Sequence, residues 1–379
     1  MGRKPKFDKI ATLIKTIWVV TPDARPGDRL PTIREMEDYF GVSRSTVIRS
    51  LRSLEEEGFV ETREGSGTYI RAGASVPLRP GPLRIIGFVA PHIPKSVGQP
   101  NQIILDMYAG LERRALDAGY QVIAASCDFS LAREEAVLRD LLRMGARGFI
   151  LVPVTRHETQ AATDHLASFP VNPPLVMIDN VLSLPNRTSV VFDNVRLGVE
   201  MTKLLHKLGR RRIAMLNVPQ GWNHRPLQDR VAGYLRAVRR LELPELLVDV
   251  LVQELERPAT LPLSVTPDLV SQILTRDPRP DAIICWNDLA VAHMRQLLAQ
   301  TGVQVPGDIM LAGFDNLDYV HRVLPPFPTS NPDFAWAGEV AMQQLIDILE
   351  GMETPNRIML QAPVIYHVDR ESDEEDGRA

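Results

Sequence analysis

Residues 27–71 read GDRLPTIREMEDYFGVSRSTVIRSLRSLEEEGFVETREGSGTYIR, and the order of helix signals and glycines in this stretch decides the fold of the N-terminal region. Thr32 stands three residues before Glu35, a Thr-x-x-Glu capping box that opens a helix. Pro31 keeps the preceding chain extended. Gly41 is placed to end that helix, because glycine adopts the left-handed conformation that helix ends require. Ser43 is the next N-cap and leaves Arg44, Ser45 and Thr46 at the start of a second helix. Val47, Leu51 and Leu54 recur at helical spacing and turn one stripe toward a core, and Gly58 ends the run. Residues 59–62 and 68–71 are strand-like, with Glu64-Gly65-Ser66-Gly67 as the turn between them. Two short helices followed by a two-stranded wing form a winged helix-turn-helix, which presents one helix to the major groove of DNA.

The flanking sequence sets bounds. At 379 residues the chain has room for two or three domains. No apolar run approaches the roughly 20 residues that span a bilayer. The N-terminal segment alternates charge with apolar residues, and Asp8, Lys9 and Lys15 break any signal-peptide core. It reads as an amphipathic helix with Ile10, Leu13, Ile14 and Ile17 on one face. The two cysteines, Cys127 and Cys285, lie in apolar strand-like surroundings and read as buried free thiols. No spacing suggests a metal site, and the whole fits a reducing cytoplasm. The net charge of −4 does not advertise nucleic-acid binding, but arginines cluster in the first 71 residues and acids in the tail at 373–379.

Residues 72–82, AGASVPLRPGP, have no helical or strand period and read as a linker. Beyond them strand-like runs alternate with amphipathic helices. The strand candidates are residues 84–90, 122–125, 148–152, 175–178, 189–192, 213–217, 248–252, 282–285 and 309–313, with helices such as 103–118 and 197–208 between them. Alternation of this kind builds parallel sheets covered by helices. There are too many units for one sheet, so two α/β lobes are expected, with a ligand cleft at the carboxyl ends of their strands.

The N-terminal runs LPTIRE, VSRSTVIRSL, LEEEGFVETR and GSGTYI closely resemble the DNA-binding domain of the GntR family of bacterial transcription regulators. The resemblance implies that Arg34 reaches DNA from the first helix of the pair, that Arg44 reads base edges through a bidentate fork, and that Ser43, Ser45 and Thr46 contact phosphates or bases. Gly65 and Gly67 would let the wing approach the minor groove. Many relatives carry an arginine directly after the position of Val47. Here Ile48 fills that place and Arg49 follows as the next candidate contact.

Residues 83–372 resemble the effector domain of the LacI/GalR family, which has the periplasmic-binding-protein fold. The runs that carry the likeness include IIGFVAP, PLVMIDN, SVVFDNVRLGVEMTKLLHKLGRRRIAML, DRVAGYLRAV, PDAIICWNDLAVA and VPGDIMLAGFDN, in that order. The implied architecture is an α/β two-lobed periplasmic-binding-protein-like domain behind an N-terminal winged helix-turn-helix domain, a pairing similar to the arabinose-responsive subgroup of GntR regulators. The implied cleft residues are Asp179, Arg230, Asn287 and Asp315, a set of arginine, carboxylates and amide suited to sugar hydroxyls. Asp288 reads as a helix cap or a fold residue. Trp222, Trp286 and Phe314 are candidates for an apolar face against a sugar ring, and Asn223 and His224 for further cleft contacts. His92 and Pro332 depart from the family pattern and point to an atypical ligand.

The expectation is therefore a non-enzymatic, cytoplasmic regulator without cofactor or metal. It would be a homodimer joined through the effector domain, bound to a near-palindromic operator and released by a sugar. A purine or another small polar effector is the alternative, and an enzyme fused to a DNA-binding domain is a third reading. The third is opposed by the want of a nucleophile elbow, a phosphate-binding loop or a metal cluster in the sequence.

Overall fold

A computed structural model of the chain describes residues 6–19, 25–63, 65–71, 84–93, 101–154, 166–170, 172–180, 182, 184, 187–217, 224–250 and 264–366. The chain divides into two compact units, Met1–Pro82 and Leu83–Ala379. The 72–82 segment and the acidic tail lie outside the described residues.

The first unit contains α1 (Lys6–Ile14), a π turn (Lys15–Val19), α2 (Ile33–Phe40), α3 (Arg44–Glu56), and the antiparallel strands β1 (Val60–Arg63) and β2 (Gly67–Ile70). The capping box is formed: the Glu35 amide donates to Thr32 Oγ1 at 3.3 Å, and the Thr32 amide donates to Glu35 Oε2 at 2.7 Å. Gly41 has φ 59° at the end of α2. Met36, Val47, Leu51, Leu54, Phe59, Val60 and Ile70 form one core with Ile10 and Ile14 of α1. The expected apolar face of α1 needs correction, because Leu13 is 44% exposed. The buried arc runs through Ile10, Ala11 and Ile14, and at 100° per residue Leu13 falls roughly 100° away from its centre. The helix gives way at Lys15 to the π turn, so Ile17 is only half-buried and Val19 is the residue that reaches the core.

The second unit has two lobes. In chain order its elements are β3 (Ile85–Ala90), α4 (Gln102–Asp117), β4 (Gln121–Ser126), α5 (Leu131–Arg143), β5 (Gly148–Leu151), β6 (Leu175–Ile178), β7 (Thr188–Phe192), α6 (Asn194–Lys207), β8 (Ile213–Asn217), α7 (Arg225–Arg240) and β9 (Leu246–Asp249). They continue with α8 (Pro267–Leu274), β10 (Ala282–Ile284), α9 (Asp288–Ala299), β11 (Met310–Ala312), α10 (Asp318–His321), β12 (Thr329–Ser330), α11 (Phe334–Leu349), β13 (Arg357–Leu360) and β14 (Val364–Ile365). One lobe is built on a parallel sheet of order β13-β7-β6-β5-β3-β4, the other on a parallel sheet of order β11-β10-β8-β9. The strand expected at 248–252 starts earlier, at Leu246, whose amide is fixed by the Tyr234 hydroxyl at 2.8 Å. The chain passes between the lobes after β7, after β12 and after β13, and β12 pairs with β14 as a short ribbon beside these crossings.

Each lobe is closed by one helix pair that meets through glycines. A Cβ on Gly110 of α4 would lie 1.8 Å from the Ala335 carbonyl, and one on Gly338 of α11 would lie 2.0 Å from that of Met107. In the other lobe the same close approach joins Gly198 of α6 to Arg230 and Gly233 of α7 to Val195, each at 2.1 Å. These are backbone contacts and have no flexible end that could yield. Both cysteines are buried, and burial pushes both thiols well above their ordinary range.

Alanine at a helix position that is merely exposed is favourable relative to glycine. At Gly198 the added methyl must separate two helices. Gly198→Ala is expected to lower stability by about 1–3 kcal/mol, read as a fall in the thermal midpoint by calorimetry. An unchanged or raised midpoint would remove the close-packing account.

Candidate functional site

Strands that run parallel end on the same side, and the loops after them line a cavity of about 530 Å³ between the two lobes. From the first lobe come His92 after β3, Phe129 after β4, Val152 after β5 and Asp179 after β6. The second lobe contributes Arg230 from α7, Trp286 and Asn287 after β10, and Asp315 after β11. Several of these residues stand at backbone angles that turn the chain sharply at the strand end: Asp179 has φ 66°, Phe129 φ 55° and Asp315 φ 92°. Aspartate tolerates this region better than most residues, which suits it to such corners.

Arg230 is the centre of the site. Its guanidinium is buried and uses three donors on the protein: Nε to Asn194 Oδ1 at 2.9 Å, Nη1 to the Trp286 carbonyl at 2.8 Å, and Nη2 to Asp315 Oδ1 at 2.9 Å. The group lies 4.3 Å above the centre of the Phe314 ring. A guanidinium has five N–H donors, so two remain for a ligand. Phe314 therefore lies under the arginine, fully buried, and does not present a face to the cavity as its sequence position suggested.

The two carboxylates differ. Asp315 is ion-paired with Arg230, although burial still outweighs that pairing and pushes its carboxyl up. Asp179 has no such direct pair. Burial, then the nearby Asp315, push its carboxyl up to about 6, against the pull of Arg230. His224 is held neutral: burial, then the Arg230 charge, push its ring down to about 3.

The remaining candidates are placed as follows. Trp286 packs into the second lobe's core while one surface lines the cavity, and its carbonyl is the group that orients Arg230. Asn287 lines the cavity and is also the cap of α9, accepting from the Ala290 amide at 2.9 Å. Asp288 is not the cap. It is a fully buried node that takes the Leu317 amide and Thr329 hydroxyl and pairs with His321. Trp222 and Asn223 lie outside the described residues. The sequence reading did not single out Asn194, Gln102 or Phe129. Each is an ordinary residue beside a strand or helix end, and only the folded chain brings it to the cavity or to Arg230.

In the first unit Arg34, Arg44, Ser45, Ile48 and Arg49 are exposed. Ser43 Oγ lies 3.0 Å from both Ser45 Oγ and Thr46 Oγ1, so three hydroxyls cluster at the start of α3. Arg49 lies over the Phe7 ring at 4.4 Å. At the wing tip Gly65 and Gly67 have φ 70° and 123°, and a Cβ on Gly67 would meet Arg29 Nε at 2.9 Å.

Residues 182–372 match the periplasmic binding protein-like domain family, and residues 9–70 match the gntR family of bacterial regulatory proteins. The chain is 27% identical over 354 residues to the arabinose metabolism transcriptional repressor of Geobacillus stearothermophilus, covering 91% of this chain and 92% of that one. It is 24% identical over 325 residues to the ribose operon repressor of Escherichia coli (strain K12), covering 84% and 92%. Among solved structures, a regulatory protein of LacI family from Chloroflexus aggregans is similar, with TM-score 0.61 and 24% identity over 75% of this chain and 99% of that one.

Asp179 carries a pH dependence. Its carboxyl holds a proton more tightly in the folded chain, at about 6, than at its ordinary value of 3.8. The native state is thus favoured at low pH, and this contribution is lost as pH rises through that window. Asp179→Asn should flatten the decline in stability between about pH 4 and pH 7 by about 3 kcal/mol, measured by urea unfolding at each pH. Identical pH profiles for the two proteins would reject the assignment.

Proposed function

The chain belongs to the periplasmic binding protein-like family and is a DNA-binding transcription regulator with a gntR-family domain, and we propose that an uncharged sugar held between its lobes releases it from its operator. The observation that carries this reading is the buried Arg230 with Asp315, Asp179 and Asn287 around one cavity. Arginine forks, carboxylates and amides are matched to the paired hydroxyls of a sugar. The charge balance selects among sugars. The Arg230 charge is already met by Asp315, His224 is neutral, and Asp179 adds only negative charge. A phosphorylated or acidic sugar would face repulsion, whereas a neutral polyol would bring donors to Asp179. The names of the arabinose and ribose repressors support the same class.

In this reading residues 1–71 bind DNA, 72–82 link, and 83–372 bind effector and dimerise. Arg44 reads a base edge, Arg34 and Arg49 contact DNA beside it, Ser43, Ser45 and Thr46 contact phosphate, and Gly65 and Gly67 admit the wing. Two copies would meet a near-palindromic site, since a two-fold protein repeats its contacts. The protein acts in the cytoplasm and catalyses nothing. Sugar shifts DNA affinity only by binding one lobe arrangement better than the other.

Arg44→Ala should cost about 1–3 kcal/mol of discrimination for operator over random DNA while leaving sugar-induced thermal stabilisation in place. Operator affinity unchanged in a gel-shift titration would displace Arg44 from its role. Arg230→Ala should retain operator binding and lose the response to sugar, with folding checked by circular dichroism. A thermal-shift series over pentoses and hexoses tests the class itself, and stabilisation by none of them would sink it.

A further inference from the structure

The first turn of a helix has amide donors without intrahelical acceptors, and the side chain of the preceding residue usually meets one of them, at the second or third position. Two helices of the second lobe lack this provision. His224 before α7 and Leu317 before α10 make no side-chain capping bond. In α7 the second position is Pro226, which has no N–H, and the amides of Leu227 and Gln228 turn back to the His224 carbonyl. The Arg225 amide has its acceptor in the other lobe: Asn180 Oδ1 at 3.1 Å. The Asp318 amide likewise donates across the cleft, to Gln102 Oε1 at 2.9 Å.

The backbone beside both acceptors is fixed by the first lobe. Asn180 is buried and follows Asp179, whose left-handed φ of 66° and amide bond to the Val190 carbonyl at 2.9 Å fix the corner. Gln102 opens α4 beside Asn101, whose Nδ2 donates to the His92 carbonyl at 3.1 Å. Ile103, the next residue, packs on the core of the second lobe.

We propose that Asn180 and Gln102 are cross-cleft positioning residues, each supplying from the first lobe an acceptor for the first amide of a helix in the second. They join different elements of the two lobes, and are satisfied together only when the lobes are closed. Opening would release both. Through Arg225 the Asn180 contact also fixes the start of α7, the helix that carries Arg230. The regulatory meaning rests on the sugar-sensing reading, but the coupling itself does not require a ligand.

Hydrogen exchange of the full chain without ligand, followed by mass spectrometry of peptides spanning 224–231 and 316–321, tests the coupling. Asn180→Leu keeps the volume and removes the acceptor. It should raise exchange about tenfold at Arg225 and also at Asp318, while Gln102→Leu does the same in reverse. Asn180→Asp keeps an oxygen acceptor and should retain protection at both positions. Unchanged exchange in peptides from β8 confirms that each variant is folded. If each substitution exposes only the amide it touches, the two contacts are independent local caps and the proposal falls. Should no sugar ever be found to bind, this result stands or falls by itself.

Discussion

The buried guanidinium of Arg230 is the constraint on which the cleft depends. A charge of this kind is tolerated inside a protein only when its donors are met and a counter-charge is close. Asn194, the Trp286 carbonyl and Asp315 meet them from the start of α6, the end of β10 and the end of β11. Three separate pieces of chain are therefore registered on one side chain. Asp288 sets the layer beneath. It ties the start of α9 to Leu317 and Thr329, and Gly313 must lack a side chain because a Cβ there would lie 2.4 Å from Asp288 Oδ1. Phe314 and Asp315 follow directly from that glycine, so the position of the cavity-lining carboxylate is decided two residues earlier by an unseen clash.

The same logic separates the two carboxylates. Asp315 is tied to the arginine and serves to orient it. Asp179 comes from the other lobe and shares the charge only at a distance, while burial raises the proton affinity of both carboxyls. A polyol that donates to Asp179 would replace the missing partner and at the same time join the lobes. Binding and closure then become one event, which is the condition for a ligand to shift an equilibrium between two arrangements.

Much of this was legible in the sequence, and the failures are informative. Caps and stops were readable because they depend on local chemistry: Thr32 with Glu35, Gly41 and the wing glycines all take the conformations their types predict. Strand ends and the polar residues after them were readable for the same reason. Leu13 faces solvent because the buried arc of α1 is centred on Ile10, Ala11 and Ile14, and Ile17 falls short of the core because periodicity alone does not reveal where a helix changes its pitch. Phe314 lies beneath Arg230 rather than on the cavity wall, because sequence gives the strand end but not which side chain lies beneath which. Asn194, Gln102 and Asn180 gave no signal at all. Their roles exist only through partners 36, 216 and 45 residues away, and a lone amide beside a helix start has many bland explanations.

The three crossings between the lobes bear on how the chain is made. Most of the second lobe is one continuous stretch, from α6 to β12, to which β14 adds only a short strand and the contacts of Val364 and Tyr366. The first lobe is not. Its sheet receives β13 only at residues 357–360, and its core lacks Phe334, Ala337, Ala341, Met342, Leu345 and Ile346 until α11 is present. During synthesis from the N-terminus, the later lobe can therefore assemble most of its core while the earlier one still exposes an apolar sheet face. The span between the appearance of β3 and that of α11 is the interval in which the nascent protein most needs protection from aggregation.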